Sequence, residues 1–124
     1  MNLASKRCVP CEGDAQPLKS EEIEALLIQT PLWEVIDDEN GKIGRVFTFK
    51  KFSRTMAFVN AIAALAEEEN HHPDMYVSYG KVIVELWTHA IGGLSENDFI
   101  MAAKIDRLPE ATGEEKKDEP YLAG

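Results

Sequence analysis

The sequence predicts an α+β fold in the order α-β-β-α-β-β-α, with a four-stranded, mainly antiparallel sheet and its helices packed on one face. Two observations point there. Two stretches each hold a pair of β-rich runs split by a turn signal, and three segments with apolar residues at helical spacing flank and separate them.

Residues 1–19 carry Pro10, Gly13 and Pro17 with little periodicity, so they read as an irregular arm, with the fold starting at Ser20. Ser20 is a suitable N-cap, Glu21 and Glu22 suit the positive end of a helix, and Ile23, Leu26 and Leu27 share one face. This first helix ends near Pro31. From Trp33 the pattern changes to period two, and Asn40-Gly41 supplies a turn between Trp33/Val35 and the run Val46–Phe49. The segment 53–69, SRTMAFVNAIAALAEEE, lacks Gly and Pro and repeats Phe58, Ile62, Leu65 and Ala66 at helical spacing. It is the longest predicted helix, and Pro73 marks its end. MYVSYGKVIVELWTH then reads as a second hairpin broken at Gly80 and ending at His89. Ser95 as N-cap, with Asp98 in the capping-box position, opens a third helix to about Leu108. Residues 20–108 thus form the predicted domain, and 109–124 a charged acidic tail expected to be mobile.

Bulk properties narrow the function. The 124-residue chain has 22 acidic against 13 basic residues, a net charge of −9, so a phosphate backbone would be repelled and nucleic-acid binding is disfavoured. No apolar run reaches the length of a membrane span and residues 1–15 lack a signal-peptide core, which gives no expected membrane association and a cytoplasmic default. Cys8 and Cys11 form a Cys-x-x-Cys in the arm; a redox pair or half a zinc site is the sharp reading, but with no second pair and no βαβ unit following, two free thiols is the simpler one.

Two of the three histidines stand together in EEENHHPDMY, residues 67–76. Histidine alone has an unperturbed pKa, ~6.5, that lets it both give and take a proton near neutrality. His71 and His72 leave the long helix while His89 ends the last strand, so a sheet packed on that helix could gather all three. If the helix persists, Glu67 lies beside His71 and Glu68 beside His72, four residues on. The simple alternative is a pair of last-turn histidines suiting the helix dipole, with EEE a solvated face. Zinc is a second possibility, weakened by the lack of H-x-x-x-H spacing. Asp98 can be explained as a cap alone, and Trp87 reads as an interior or interface aromatic rather than a ligand stacker.

Glu67-x-x-x-His71-His72-Pro73, then Tyr79, His89 and Asp98 after five, nine and eight intervening residues, resembles the signature of pterin-4a-carbinolamine dehydratases. The similarity runs from about Ser20 to Asp106. It implies the same element order, a homodimer or homotetramer, no cofactor and no metal. The implied reaction is a lyase step: 4a-hydroxytetrahydropterin loses water to give the quinonoid dihydropterin, recycling the pterin of aromatic amino-acid hydroxylases, to one of which the protein would be functionally linked. By the resemblance, His71 and His89 are the acid-base pair, His72, Pro73 and Thr88 help hold the pterin, and Glu67 and Asp98 orient or polarise the histidines. Alternatives are the same fold acting on another, molybdopterin-related pterin, or a non-catalytic protein-binding or coactivator module. Animal members of the family also serve as dimerisation cofactors of a transcription factor, a role that no residue here carries over.

Overall fold

In the computed structural model, which describes residues 2–10, 15–36, 41–112 and 117–119, the two hairpins merge into one antiparallel sheet. The chain runs α1 (Ser20–Leu27), β1 (Glu34–Val35), β2 (Ile43–Thr48), α2 (Phe52–Glu69), β3 (Asp74–Ser78), β4 (Lys81–Leu86) and α3 (Glu96–Asp106). Strand order is β1-β2-β4-β3, as two hairpins joined along β2 and β4 require. The turn residues expected at 38–40 lie outside the described residues.

Strand pairing explains which side chains meet the helices. Paired residues share a face, so Ile43 with Leu86, Arg45 with Val84 and Phe47 with Val82 form a buried layer. Phe58 of α2 packs on Phe47 with ring centroids 4.5 Å apart. Trp33 is buried against the same Phe47, and its indole N–H donates to Asp106 Oδ1 at 2.9 Å. That carboxylate also receives Arg45, 4% exposed, so the one charged side chain in this layer is paired as a buried charge must be. The opposite face carries Val46, Ile83 and the 54%-exposed Tyr76. The second hairpin's turn needs a glycine for space: a Cβ on Gly80 would lie 2.5 Å from the Phe49 carbonyl oxygen, which approaches because the Phe49 N–H donates to Gly80 O.

Several boundaries differ from expectation. Glu22 Oε1 accepts the Lys19 N–H at 2.9 Å, so α1 is capped one residue ahead of Ser20. α2 ends at Glu69, as the segment 53–69 predicts, with Asn70 as its C-cap, whereas α3 stops at Asp106 rather than Leu108.

The arm departs most. It is not loose chain ahead of the fold: Leu3, in a short 3-10 helix over Leu3–Ser5, is 1% exposed within the main core. The cause is α3, whose residues Asn97 to Ala103 are buried in succession. A helix apolar on all sides needs cover on all sides, and the sheet supplies only one; the arm supplies another. Lys104 Nζ donates to Ala4 O at 3.0 Å, and Lys6 pairs with Glu96 at 2.6 Å. The tail carries local structure where it is described. Pro109–Thr112 forms a 3-10 helix with Ala111 buried, and β5 (Lys117–Glu119) pairs with Val46–Thr48, using the part of the β2 edge that the two-residue β1 leaves unpaired.

Candidate active site

Asn70 is the residue that aims the histidines. It sits in the left-handed region, φ 53°, ψ 42°, which asparagine tolerates better than other side chains. The chain therefore leaves α2 there, and the His71 N–H turns back to Ala66 O at 3.2 Å. His71 and His72 are thus beyond the helix, not last-turn residues, and the four-residue pairing with the glutamates is broken.

His71 meets Asp98 instead of Glu67. Its Nε2 lies 2.7 Å from Asp98 Oδ1, with the imidazole 12% exposed and the carboxylate fully buried. Asp98 Oδ2 accepts from Thr88 Oγ1 at 2.8 Å and from the Ser95 N–H at 3.0 Å. Thr88 Oγ1 in turn lies 2.7 Å from Ser95 Oγ; with the threonine proton given to Asp98, the serine hydroxyl donates to the threonine oxygen. Asp98 is thus both the cap of α3 and the anchor of His71. A carboxylate at Nε2 favours the tautomer that carries the proton on that nitrogen.

Glu67 takes His72, Oε2 to Nε2 at 2.6 Å, with both side chains more than half exposed. Exposed pairs of this kind hold geometry weakly. His89 begins a short 3-10 helix, His89–Ile91, and its ring stacks on Trp87 with centroids 3.9 Å apart and planes 24° apart. Trp87 donates its indole N–H to Asp74 Oδ2 at 3.2 Å, and Lys42 Nζ stands 5.4 Å from its ring.

These pieces border one cavity of about 480 Å³, within the range of small-molecule sites. His71, His72, Pro73, Thr88 and His89 all line it, while Asp98 and Glu67 act from behind on His71 and His72. Trp87 lines it too: the tryptophan continues β4 past Leu86 and borders the cavity. Tyr79 does not; it is 68% exposed and stacks on Phe52. Sequence reasoning also missed Asp74, Asn97, Val9 and Pro10 as lining residues. Asp74 follows the His-His-Pro run directly and Asn97 precedes Asp98, but nothing local marks Val9 or Pro10. Among the described residues, no three His, Cys, Asp or Glu side chains gather as a metal-ligand set. Cys8 is a free thiol, and Cys11 lies outside the described residues.

Residues 16–108 match the family model for pterin 4 alpha carbinolamine dehydratase. The chain belongs to that family. A relative named for the dehydratase in Nitrosomonas eutropha is 54% identical over 108 residues, covering 86% of this chain and 93% of that one. Another from Rubrobacter xylanophilus is 49% identical, covering 86% and 97%. Among solved structures, a transcriptional coactivator/pterin dehydratase of Brucella melitensis superposes with TM-score 0.69 at 34% identity, covering 73% of this chain and 96% of that one. A pterin dehydratase-like RuBisCO assembly factor of the alpha-carboxysome gives TM-score 0.52 at 28% identity, covering 60% and 84%. The family match contains the whole cavity except its Val9–Pro10 side. As for a membrane, no helix among the described residues is long and apolar enough to cross one.

Proposed function

We propose that the protein dehydrates 4a-hydroxytetrahydropterin to the quinonoid dihydropterin in pterin recycling. The observation that carries this reading is the His71–Asp98 pair, a nearly buried imidazole anchored on a fully buried carboxylate at the wall of a cavity that His72 and His89 also line. Loss of water from a carbinolamine needs a proton delivered to the departing 4a-hydroxyl and another taken from N5. Two imidazoles at one cavity can supply both steps, each typically worth ~10²–10⁴ in rate. His71 and His89 take these roles; His72, Pro73 and Thr88 border the bound pterin, and Glu67 biases the orientation of His72 only weakly. The acid and base roles are assigned to the two rings together and not divided between them.

The test is the loss of freshly generated 4a-hydroxytetrahydropterin with metal-stripped protein. Wild type should accelerate it and the His71→Ala/His89→Ala double variant should not; a double variant with near-wild-type turnover would refute the assignment. The names of the two structural neighbours support a second reading, in which the fold serves as a coactivator or assembly module. Under that reading wild type gives no acceleration, and under the molybdopterin-related variant it accelerates another pterin preferentially.

A further inference from the structure

We infer that the segment Arg7–Pro10 is a working wall of the pterin site, held shut by Asn97 and Glu69. The inference rests on the dehydratase reading and assigns these residues a part in substrate binding. Asn97, 4% exposed, holds Val9 with both ends of its amide: Nδ2 donates to Val9 O at 2.6 Å, and Oδ1 accepts the Val9 N–H at 3.0 Å. One residue away, Glu69 Oε1 accepts the Cys8 N–H at 2.9 Å. Its Oε2 is buried without a well-aligned hydrogen bond, 3.2 Å from Arg7 Nε and 3.6 Å from Lys104 Nζ. A carboxylate almost entirely out of water is costly unless such partners answer it, so docking the segment is what makes this burial tolerable.

The placement of the two clasps gives the segment its meaning. Glu69 lies two residues before His71 at the end of α2, and Asn97 lies directly before Asp98 at the start of α3. The same two chain ends therefore grip the His71–Asp98 pair with one residue each and the strap with the other. Val9 and Pro10, thus fixed, meet the cavity as its apolar side, opposite in character to the imidazoles and Asp74. Such a surface suits the face of a flat heterocycle or its apolar substituent, and it has no proton to exchange. Asn97 and Glu69 are accordingly positioning residues, and their loss should show in binding more than in the chemical step.

The experiment measures KM and kcat for 4a-hydroxytetrahydropterin dehydration by wild type, Asn97→Ala and Val9→Asp. Asn97→Ala should raise KM about tenfold, the loss expected for two neutral hydrogen bonds, with kcat changed about twofold or less. Val9→Asp, at a position 64% exposed and so without a folding burden, should raise KM comparably by charging the apolar wall. Site-resolved alkylation provides a second readout: the docked Cys8 thiol, pushed up to about 12 chiefly by burial and then by Glu69, should react faster in Asn97→Ala than in wild type. Unchanged KM in both variants of an active enzyme overturns the strap alone. A wild type that neither binds 7,8-dihydrobiopterin nor dehydrates the carbinolamine overturns the dehydratase reading, and the strap's role with it.

Discussion

Asp98 does two jobs with two oxygens, Oδ1 toward His71 and Oδ2 toward Thr88 and the helix start. Replacing it by asparagine separates them. The amide oxygen of the new side chain can still accept the Ser95 N–H, so the helix cap survives, but the charge that steadies a protonated His71 is gone. Asp98→Asn should therefore lower kcat at least about 100-fold, with a melting temperature within a few degrees of wild type; circular dichroism beside the dehydration assay checks both. His72→Ala should chiefly raise KM, since its ring and Glu67 are exposed and their pairing contributes little to stability. The sequence singled out His71, His72 and His89 as candidates by residue type, and Asp98 through the family resemblance. It could not make their pairing legible: an i, i+4 rule assigns Glu67 to His71 only while the helix lasts, and Asn70 ends it one residue too soon.

Among the elements, α2 ends on a single backbone torsion. Asn70→Gly should be tolerated because glycine adopts φ 53° freely, whereas Asn70→Val should cost about 1–2 kcal/mol and displace His71. Chemical denaturation and turnover, measured together, should show both losses in the valine variant and neither in the glycine one. Gly80→Ala is a purely steric counterpart: its new methyl would meet backbone rather than a yielding side chain. A loss of about 1–3 kcal/mol is expected, with KM and kcat unaltered at temperatures where the fold persists. Element types were readable from helical spacing in α1 and α2, from the capping box ahead of α3, and from β-rich runs split by turn residues. The strand Lys117–Glu119 was not, because its three residues carry no apolar pattern and are specified only by the open edge they meet.

For the whole molecule, the arm makes stability pH-dependent. Burial works against the Glu69 charge, but the Cys8 N–H, Lys104 and Arg7 outweigh it and hold its carboxyl below the ordinary value of 4.5. A carboxyl lowered on folding contributes its stabilisation fully above that ordinary value and loses it as pH falls through the lower folded one. The protection factors of the Cys8 and Val9 amides, taken relative to intrinsic exchange at each pH, should accordingly stay high at neutral pH and fall once the medium is more acidic than the unfolded carboxyl's range, ahead of those of the β4 amides. An arm whose protection falls only with the whole sheet would contradict this. Nothing near residues 3–10 predicts such a role, since the partners lie far along the chain and the arm's own composition says only turn and proline.

That separation has a consequence for how the protein is made. The Val9–Asn97 contacts span 88 residues and the Ala4–Lys104 contact spans 100. During synthesis, residues 4–9 emerge long before α3, nearly the last of the matched region, and must wait for it before they have a surface to dock on. Closing so long a loop is slow relative to hairpin formation, so the hairpins can pair while the cavity still lacks a side. A nascent chain stalled before Asn97 would already carry His71, His72 and His89, yet hold neither the carboxylate nor the docked strap that finish the site.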